Sequence, residues 1–166
     1  RLRSFLADYA AACESEPWRG EVLPGVAEAV AALARMGHSQ TVASGNIAAT
    51  GWLKLRHAGL AGTGAAGFVI RDEVRDRAAL LDPILEDWGG RGPVVAVGDT
   101  PDDAAAAVAH GIGFLGVASG RHSAAELRAA AAHPWRGGSV MRDGVAVLDD
   151  VTDTRAVLAV LEDVAR

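Results

Sequence analysis

The chain has 166 residues, half of them apolar, and a formal net charge of -5 at pH 7. This length allows one domain with a substantial core and excludes disorder, and the acidic balance without a Lys/Arg cluster argues against a nucleic-acid surface. The single cysteine, Cys13, excludes an internal disulfide and a cysteine-based zinc site, and no signal-peptide or membrane-spanning pattern occurs, so we expect a cytoplasmic protein with no membrane partner.

The first part of the chain alternates between helical and strand-like patterns. An amphipathic helix is predicted over 2–13, and a connector with Pro17 and Gly20 follows it. The next predicted helix covers 25–36. Pro24 is expected to open it, at the first helical position, and Gly37 to follow its end. A strand over 40–43 and a helix over 47–58 complete this part. In the helix over 25–36 the residues expected to face the core are Val26, Val30 and Leu33.

A glycine-rich segment, residues 62–67, matches the G-x-G-x-x-G pattern of dinucleotide-binding folds. That fingerprint must follow a strand and open a helix. Here the glycines follow a helix and precede the strand-like residues 68–70. The segment is therefore not predicted to bind a dinucleotide.

The second part of the chain continues the alternation. Helices are predicted over 78–88, from Pro101 to about Gly111, over 123–132 and over 154–164, with strands over 94–97, 113–118 and 145–148. In the helix over 78–88 the residues expected to face inward are Leu81, Ile84, Leu85 and Trp88. Residues 133–146 are expected to be irregular, with a small hairpin around 142–144. This alternation predicts an α/β fold with a doubly wound, Rossmann-like parallel sheet in three αβα layers.

Two acids follow the apolar run 94–97, which is predicted to be a strand covered on both faces. Thr100 is placed to cap the next helix, with Pro101 at its first position and Asp103 in its first turn. Asp99 and Asp103 then lie at the carboxyl end of a strand, where open α/β sheets bind ligands, and oxygen donors suit Mg²⁺. The alternative is that Asp103 is only a capping acid and Asp99 only a turn former.

Polar groups follow three predicted strands: Ser44-Gly45-Asn46, then Arg75 or Arg77, then Asp99 with Asp103. In a parallel sheet these ends lie along one edge. A hydroxyl, backbone N–H groups, a guanidinium and a carboxylate-held metal are together what a transferring phosphoryl group requires. Taken singly, Ser44-Gly45-Asn46 is an ordinary turn and Arg77 a solvated surface charge.

Several of these segments resemble motifs of the haloacid dehalogenase (HAD) superfamily, in its phosphoglycolate-phosphatase-like branch. The similar segments are Thr41 to Asn46, Arg77 to Leu80 and Val97 to Asp103. The resemblance extends from about Glu21 to the end of the chain. It implies a Mg²⁺-dependent phosphate monoester hydrolase acting on a small phosphorylated metabolite.

The resemblance also implies roles for individual residues. Ser44 and Arg77 would be catalytic, and Gly45 and Asn46 would join them in binding phosphate. Asp99 and Asp103 would hold Mg²⁺. Arg77, rather than Arg75, has the family's spacing to Leu80.

The chain departs from the family in one respect: it has no Asp-x-Asp-Gly-Thr segment to supply the nucleophile. The covalent phosphoaspartyl route then lacks its attacking group, so little or no phosphatase activity is expected from these residues alone. By the resemblance, residues 1–20 would be the remnant of a helical cap with its connector and 21–166 the α/β core of an N-terminally truncated hydrolase. Exposed apolar surface near Trp18 and Trp52 would then favour a homodimer.

Two alternatives from other classes remain open. A non-catalytic HAD-like module would keep the phosphate and metal groups and only bind an anion. A generic regulatory α/β domain would account for the acids and leave Ser44 and Arg77 without a role.

Overall fold

The computed structural model describes residues 8–9, 11–12, 14–15, 21–45, 48–60, 65–70, 76–132 and 144–164. The chain forms two compact units, residues 1–75 and residues 76–166. In the described part of the chain, no helix has both the length and the apolar character needed to cross a bilayer.

The first unit contains a parallel two-stranded sheet. Its elements in chain order are helix α1 (Val26–Arg35), strand β1 (Gln40–Ser44), helix α2 (Ala48–His57) and strand β2 (Ala65–Ile70). Strands β1 and β2 pair in parallel, with Ser44 opposite Ile70. A parallel pair needs a crossover connection, and α2 lies within that connection.

Helix α1 begins and ends at glycines. Gly25 is its N-cap in the left-handed conformation, with φ 85°, so Pro24 precedes the cap and the prediction that it opens the helix was wrong. At the other end Gly37 donates to the Ala34 carbonyl and His38 donates to the Leu33 carbonyl. This is a Schellman motif, and the predicted stop at Gly37 is confirmed.

The buried stripe of α1 differs from the predicted one. Ala29 and Ala32 are the buried residues, whereas Val26, Val30 and Leu33 are only half-buried. Apolar spacing alone favoured the larger side chains.

Strand β2 includes part of the glycine-rich segment. Gly67 pairs with Thr41 of β1 inside the sheet, and the strand begins earlier than the predicted 68–70. A glycine within a strand is incompatible with a phosphate-binding turn that opens a helix. The rejection of the dinucleotide fingerprint is consistent with this placement; residues 62–64 lie outside the described part.

The second unit is a parallel three-stranded sheet flanked by helices. Its elements in chain order are α3 (Arg77–Trp88), β3 (Val95–Gly98), α4 (Pro101–His110), β4 (Gly113–Val117), α5 (Ala124–Ala132), β5 (Val145–Leu148) and α6 (Thr154–Val164). The strand order is β3-β4-β5, and both pairings are parallel. The predicted Rossmann-like α/β class is confirmed.

The fully covered strand of this sheet is β4. All five of its residues are buried, and Phe114 and Leu115 are 0% exposed. Strand β3 is an edge of the three-stranded sheet, and Val97 is 56% exposed. The prediction that residues 94–97 are covered on both faces was therefore wrong, because an apolar run does not reveal the position of its strand in the sheet.

The core of the second unit forms where α4 packs on β4 and α5. Ala104 and Ala107 of α4 are fully buried and cluster with Phe114 and Ala131. In α3 the buried residue is Leu80, at 2% exposure. The four residues predicted to face inward there are all half-buried: Leu81, Ile84, Leu85 and Trp88.

Two predicted segments lie wholly or largely outside the described residues. Most of the helix over 2–13 is among them, although the described residues 8–9 and 11–12 are helical. The predicted hairpin around 142–144 also lies there, except for Gly144, which precedes β5.

Candidate functional site

The turn between β3 and α4 is fixed by a reciprocal capping box. Thr100 is the N-cap, and its Oγ1 accepts a hydrogen bond from the Asp103 backbone N–H at 3.2 Å. The Asp103 carboxylate in turn accepts from the Thr100 backbone N–H at 3.2 Å and from its hydroxyl at 2.7 Å, both at Oδ2. Pro101 occupies the first turn as predicted, where a missing N–H costs nothing.

The Gly98 backbone lies close to the Asp103 side chain in the same turn. A Cβ added to Gly98 would lie 2.5 Å from the Asp103 Cβ and 2.7 Å from its Oδ2. No side chain fits there unless Asp103 moves. The sequence identified Gly98 as a turn residue and gave no sign of this contact.

Arg77 reaches the same carboxylate from a neighbouring helix. It is the first residue of α3, whose N-cap Asp76 accepts from the Ala78 N–H at 3.0 Å. The Arg77 Nε lies 2.9 Å from Asp103 Oδ1, with the two side chains 39% and 19% exposed. The structure thus brings together two of the residues singled out from the sequence.

Each Asp103 oxygen therefore has a separate partner. Oδ2 serves the capping box and Oδ1 pairs with Arg77. The capping interpretation of Asp103 is confirmed, and the ion pair gives it a second role that capping alone does not explain. Its part in holding a metal stays a prediction.

Asp99 differs from Asp103 in its surroundings. It directly follows β3, it is exposed, and its carboxylate makes no hydrogen bond or ion pair to any residue that the structure describes. A turn-forming aspartate would be expected to bond its own backbone. No such bond is seen among the described residues, and the part of Asp99 in holding a metal stays a prediction.

The donor chemistry fits Mg²⁺. Carboxylate oxygens are hard ligands, and Mg²⁺ is usually held by one or two carboxylates while it keeps several waters. Within residues 76–132 and 144–164, as in the rest of the described chain, no cluster of three or more His, Cys, Asp or Glu occurs.

The remaining predicted site residues lie in the first unit. Ser44 is the last residue of β1 and is half-buried, and Gly45 follows it and is exposed. Asn46 and Arg75 fall outside the described residues. Their predicted roles, and that of Ser44, remain predictions.

A second polar link between α3 and α4 was not foreseen from the sequence. His110, in the last turn of α4, lies 2.9 Å from the Ala106 carbonyl through Nδ1 and 2.8 Å from Asp82 Oδ1 through Nε2. A carbonyl and a carboxylate both accept hydrogen bonds, so the ring satisfies both of them when both of its nitrogens carry protons. Burial lowers the pKa of His110, but the bonds to Asp82 and Ala106 and the charges of Asp82 and Asp76 outweigh it and raise the pKa above 6.5.

A protein-family model matches most of the second unit. Residues 75–154 match a protein-family model described as HAD-hydrolase-like, a span just under half of the chain that contains Arg77, Asp99 and Asp103. The match supports a HAD-like hydrolase domain here and does not extend to Ser44. No curated protein sequence matches the chain.

Proposed function

We propose that this HAD-like hydrolase domain belongs to a Mg²⁺-dependent phosphatase that hydrolyses a monoester of a small phosphorylated metabolite. The family match over residues 75–154 supports a hydrolase. The metal and the phosphoryl substrate are our extension of that match, as are a cytoplasmic location and a homodimer.

The single observation that carries the proposal is the contact between Arg77 and Asp103. An arginine presents its N–H donors in a rigid fork, and here only Nε is paired, at 2.9 Å. The terminal guanidinium nitrogens have no partner among the described residues, and the side chain is 39% exposed. Asp103 thus fixes the direction of the fork and leaves its outer donors for a phosphoryl oxygen.

In this proposal the residues of the chain have separate roles in binding the phosphoryl group and the metal. Arg77 would neutralise negative charge on the phosphoryl oxygens. The phosphate-binding roles of Ser44, Gly45 and Asn46 stay predictions from the sequence. Asp99 and Asp103 would hold Mg²⁺, and the ion would supply charge neutralisation when bound. Thr100 keeps Asp103 in place through the capping box.

A titration with Mg²⁺ tests this proposal. We expect calorimetry on the full 166-residue chain to show Mg²⁺ binding that D99N weakens by at least about tenfold, because an amide oxygen replaces a carboxylate. D102N is the matched control, since Asp102 is an exposed acid close to Asp99 in sequence, in the first turn of α4. Equal weakening by D99N and D102N would mean that only nonspecific negative charge is involved.

Hydrolysis requires a nucleophile, whereas Mg²⁺ binding does not. No Asp-x-Asp-Gly-Thr segment occurs in the sequence, so we expect little or no hydrolysis of p-nitrophenyl phosphate by this chain with Mg²⁺. Robust turnover that D99N abolishes would show that another residue supplies the nucleophile.

A further inference from the structure

The Asp99 carboxylate lies against the backbone of the loop between β4 and α5. A Cβ added to Gly120 would lie 2.5 Å from Asp99 Oδ2, 3.4 Å from its Cγ and 3.5 Å from its Cβ. These three nearest heavy atoms all belong to Asp99. Real Cβ atoms do not approach another atom to 2.5 Å, so a side chain at this position would displace the carboxylate.

Backbone conformation does not account for the glycine. Gly120 does not have the positive φ that Gly89 and Gly111 have. Alanine could therefore adopt the local backbone geometry. Gly120 is itself exposed, so the surrounding core does not restrict the space either. The obstacle to a larger residue is the position of the Asp99 side chain.

Asp99 has no other restraint among the described residues. Its carboxylate makes no hydrogen bond or ion pair there, unlike that of Asp103, whose two oxygens are both bonded. The absence of a side chain at Gly120 leaves the space that the Asp99 carboxylate occupies in its observed direction. A ligand carboxylate must keep its direction for a metal to bind without a further ordering cost.

We propose that Gly120 is a positioning residue for Asp99, and that the β4–α5 loop thereby forms one wall of the Mg²⁺ site. This inference rests on the proposed function for its metal, while the contact itself does not. G120A is expected to turn the Asp99 side chain away and to weaken Mg²⁺ binding roughly tenfold, the size of effect that supporting residues have at metal sites.

The test combines Mg²⁺ affinity with a double-mutant cycle on the full chain. G120A is compared with G92A, where an added Cβ would meet only Trp88 Cζ2 at an ordinary 3.8 Å. G92A should bind Mg²⁺ like the wild type. The displaced Oδ2 is the far end of a flexible, exposed side chain, so G120A should cost little stability. It should weaken Mg²⁺ binding in the wild-type background and have no further effect in D99A, because D99A removes the atoms within 3.4 Å.

The outcomes separate the two proposals. If the wild type binds Mg²⁺ and G120A binds it equally well, the positioning role is overturned and the proposed function stands. If the wild type binds no Mg²⁺, the metal site of the proposed function fails, and the positioning role fails with it. Should G120A fail to fold, folding of the G120A/D99A double variant supports the contact, and its failure overturns it.

Discussion

Arg77 and Asp103 form a pair in which each residue orients the other. The Nε to Oδ1 distance of 2.9 Å fixes one edge of the guanidinium, and the capping box fixes the carboxylate. Because the pair is partly exposed, its direct contribution to folding is at most about 1 kcal/mol. Its importance is expected to lie in phosphate binding.

The R77Q variant separates these two effects. We expect it to lower the free energy of unfolding by no more than about 1 kcal/mol and to weaken binding of inorganic phosphate, measured by calorimetry with Mg²⁺ present, by at least about tenfold. R155Q makes the same change of net charge on the exposed face of α6. Equal losses of phosphate affinity in R77Q and R155Q would contradict a specific role for Arg77.

Among individual residues, the capping pattern could be predicted from the sequence, whereas the close approaches of two glycines to acidic side chains could not. Thr100, Pro101 and Asp103 follow a recognisable capping pattern, so their local geometry could be predicted. The contacts of Gly98 with Asp103 and of Gly120 with Asp99 could not. They depend on side-chain directions and on a loop from another strand, which local sequence does not encode.

Helices α3 and α4 are joined at two points along their lengths. Arg77 and Asp103 pair at their beginnings, and Asp82 and His110 pair further along. The second link also holds the end of α4 through the Ala106 carbonyl, where a cation interacts favourably with the helix dipole. We infer that the His110 link keeps the helix that carries Thr100 and Asp103 in register with α3.

Stability should depend on pH through His110. Its pKa is raised above 6.5 in the folded chain, so the folded state binds the proton more tightly than the unfolded state. The stabilisation is fully present below pH 6.5 and is lost as pH rises through the folded pKa.

Chemical denaturation between pH 5.5 and 8.5 measures this dependence. H110Q should remove it, and D82N should reduce it, whereas H38Q, at an exposed histidine outside any helix, should leave it in place. A pH profile that H110Q does not change would contradict a protonated link.

Several helix boundaries were predictable from caps and glycine stops. The pairing of Asp82 with His110 was not, because it joins residues 28 positions apart.

On the scale of the whole molecule, each unit has its own parallel sheet. The second unit is built around β4, which is wholly buried, while β3 presents the acids at its carboxyl end and forms an edge of the three-stranded sheet. The alternation of elements predicted the α/β class correctly. Strand order follows from tertiary packing, and apolar runs such as residues 94–97 and 113–118 look alike before the order is known.

Two valines test this assignment of the buried strand. V117A in β4, where the side chain is 7% exposed, should cost roughly 2 kcal/mol of unfolding free energy through lost burial. V97A in β3, where it is 56% exposed, should change stability by no more than about 0.5 kcal/mol. Urea denaturation of both variants measures the difference, and a larger cost at Val97 would contradict the assignment.

The most direct test of the Asp99 site is a Mg²⁺ titration of the isotope-labelled chain followed by NMR. The account predicts saturable shifts of the backbone amides of residues 98–103 and of Gly120, which disappear in D99N and persist in D102N. Shifts scattered over the exposed acids, including Asp149 and Asp150, or unchanged in D99N, would contradict a metal site at the end of β3.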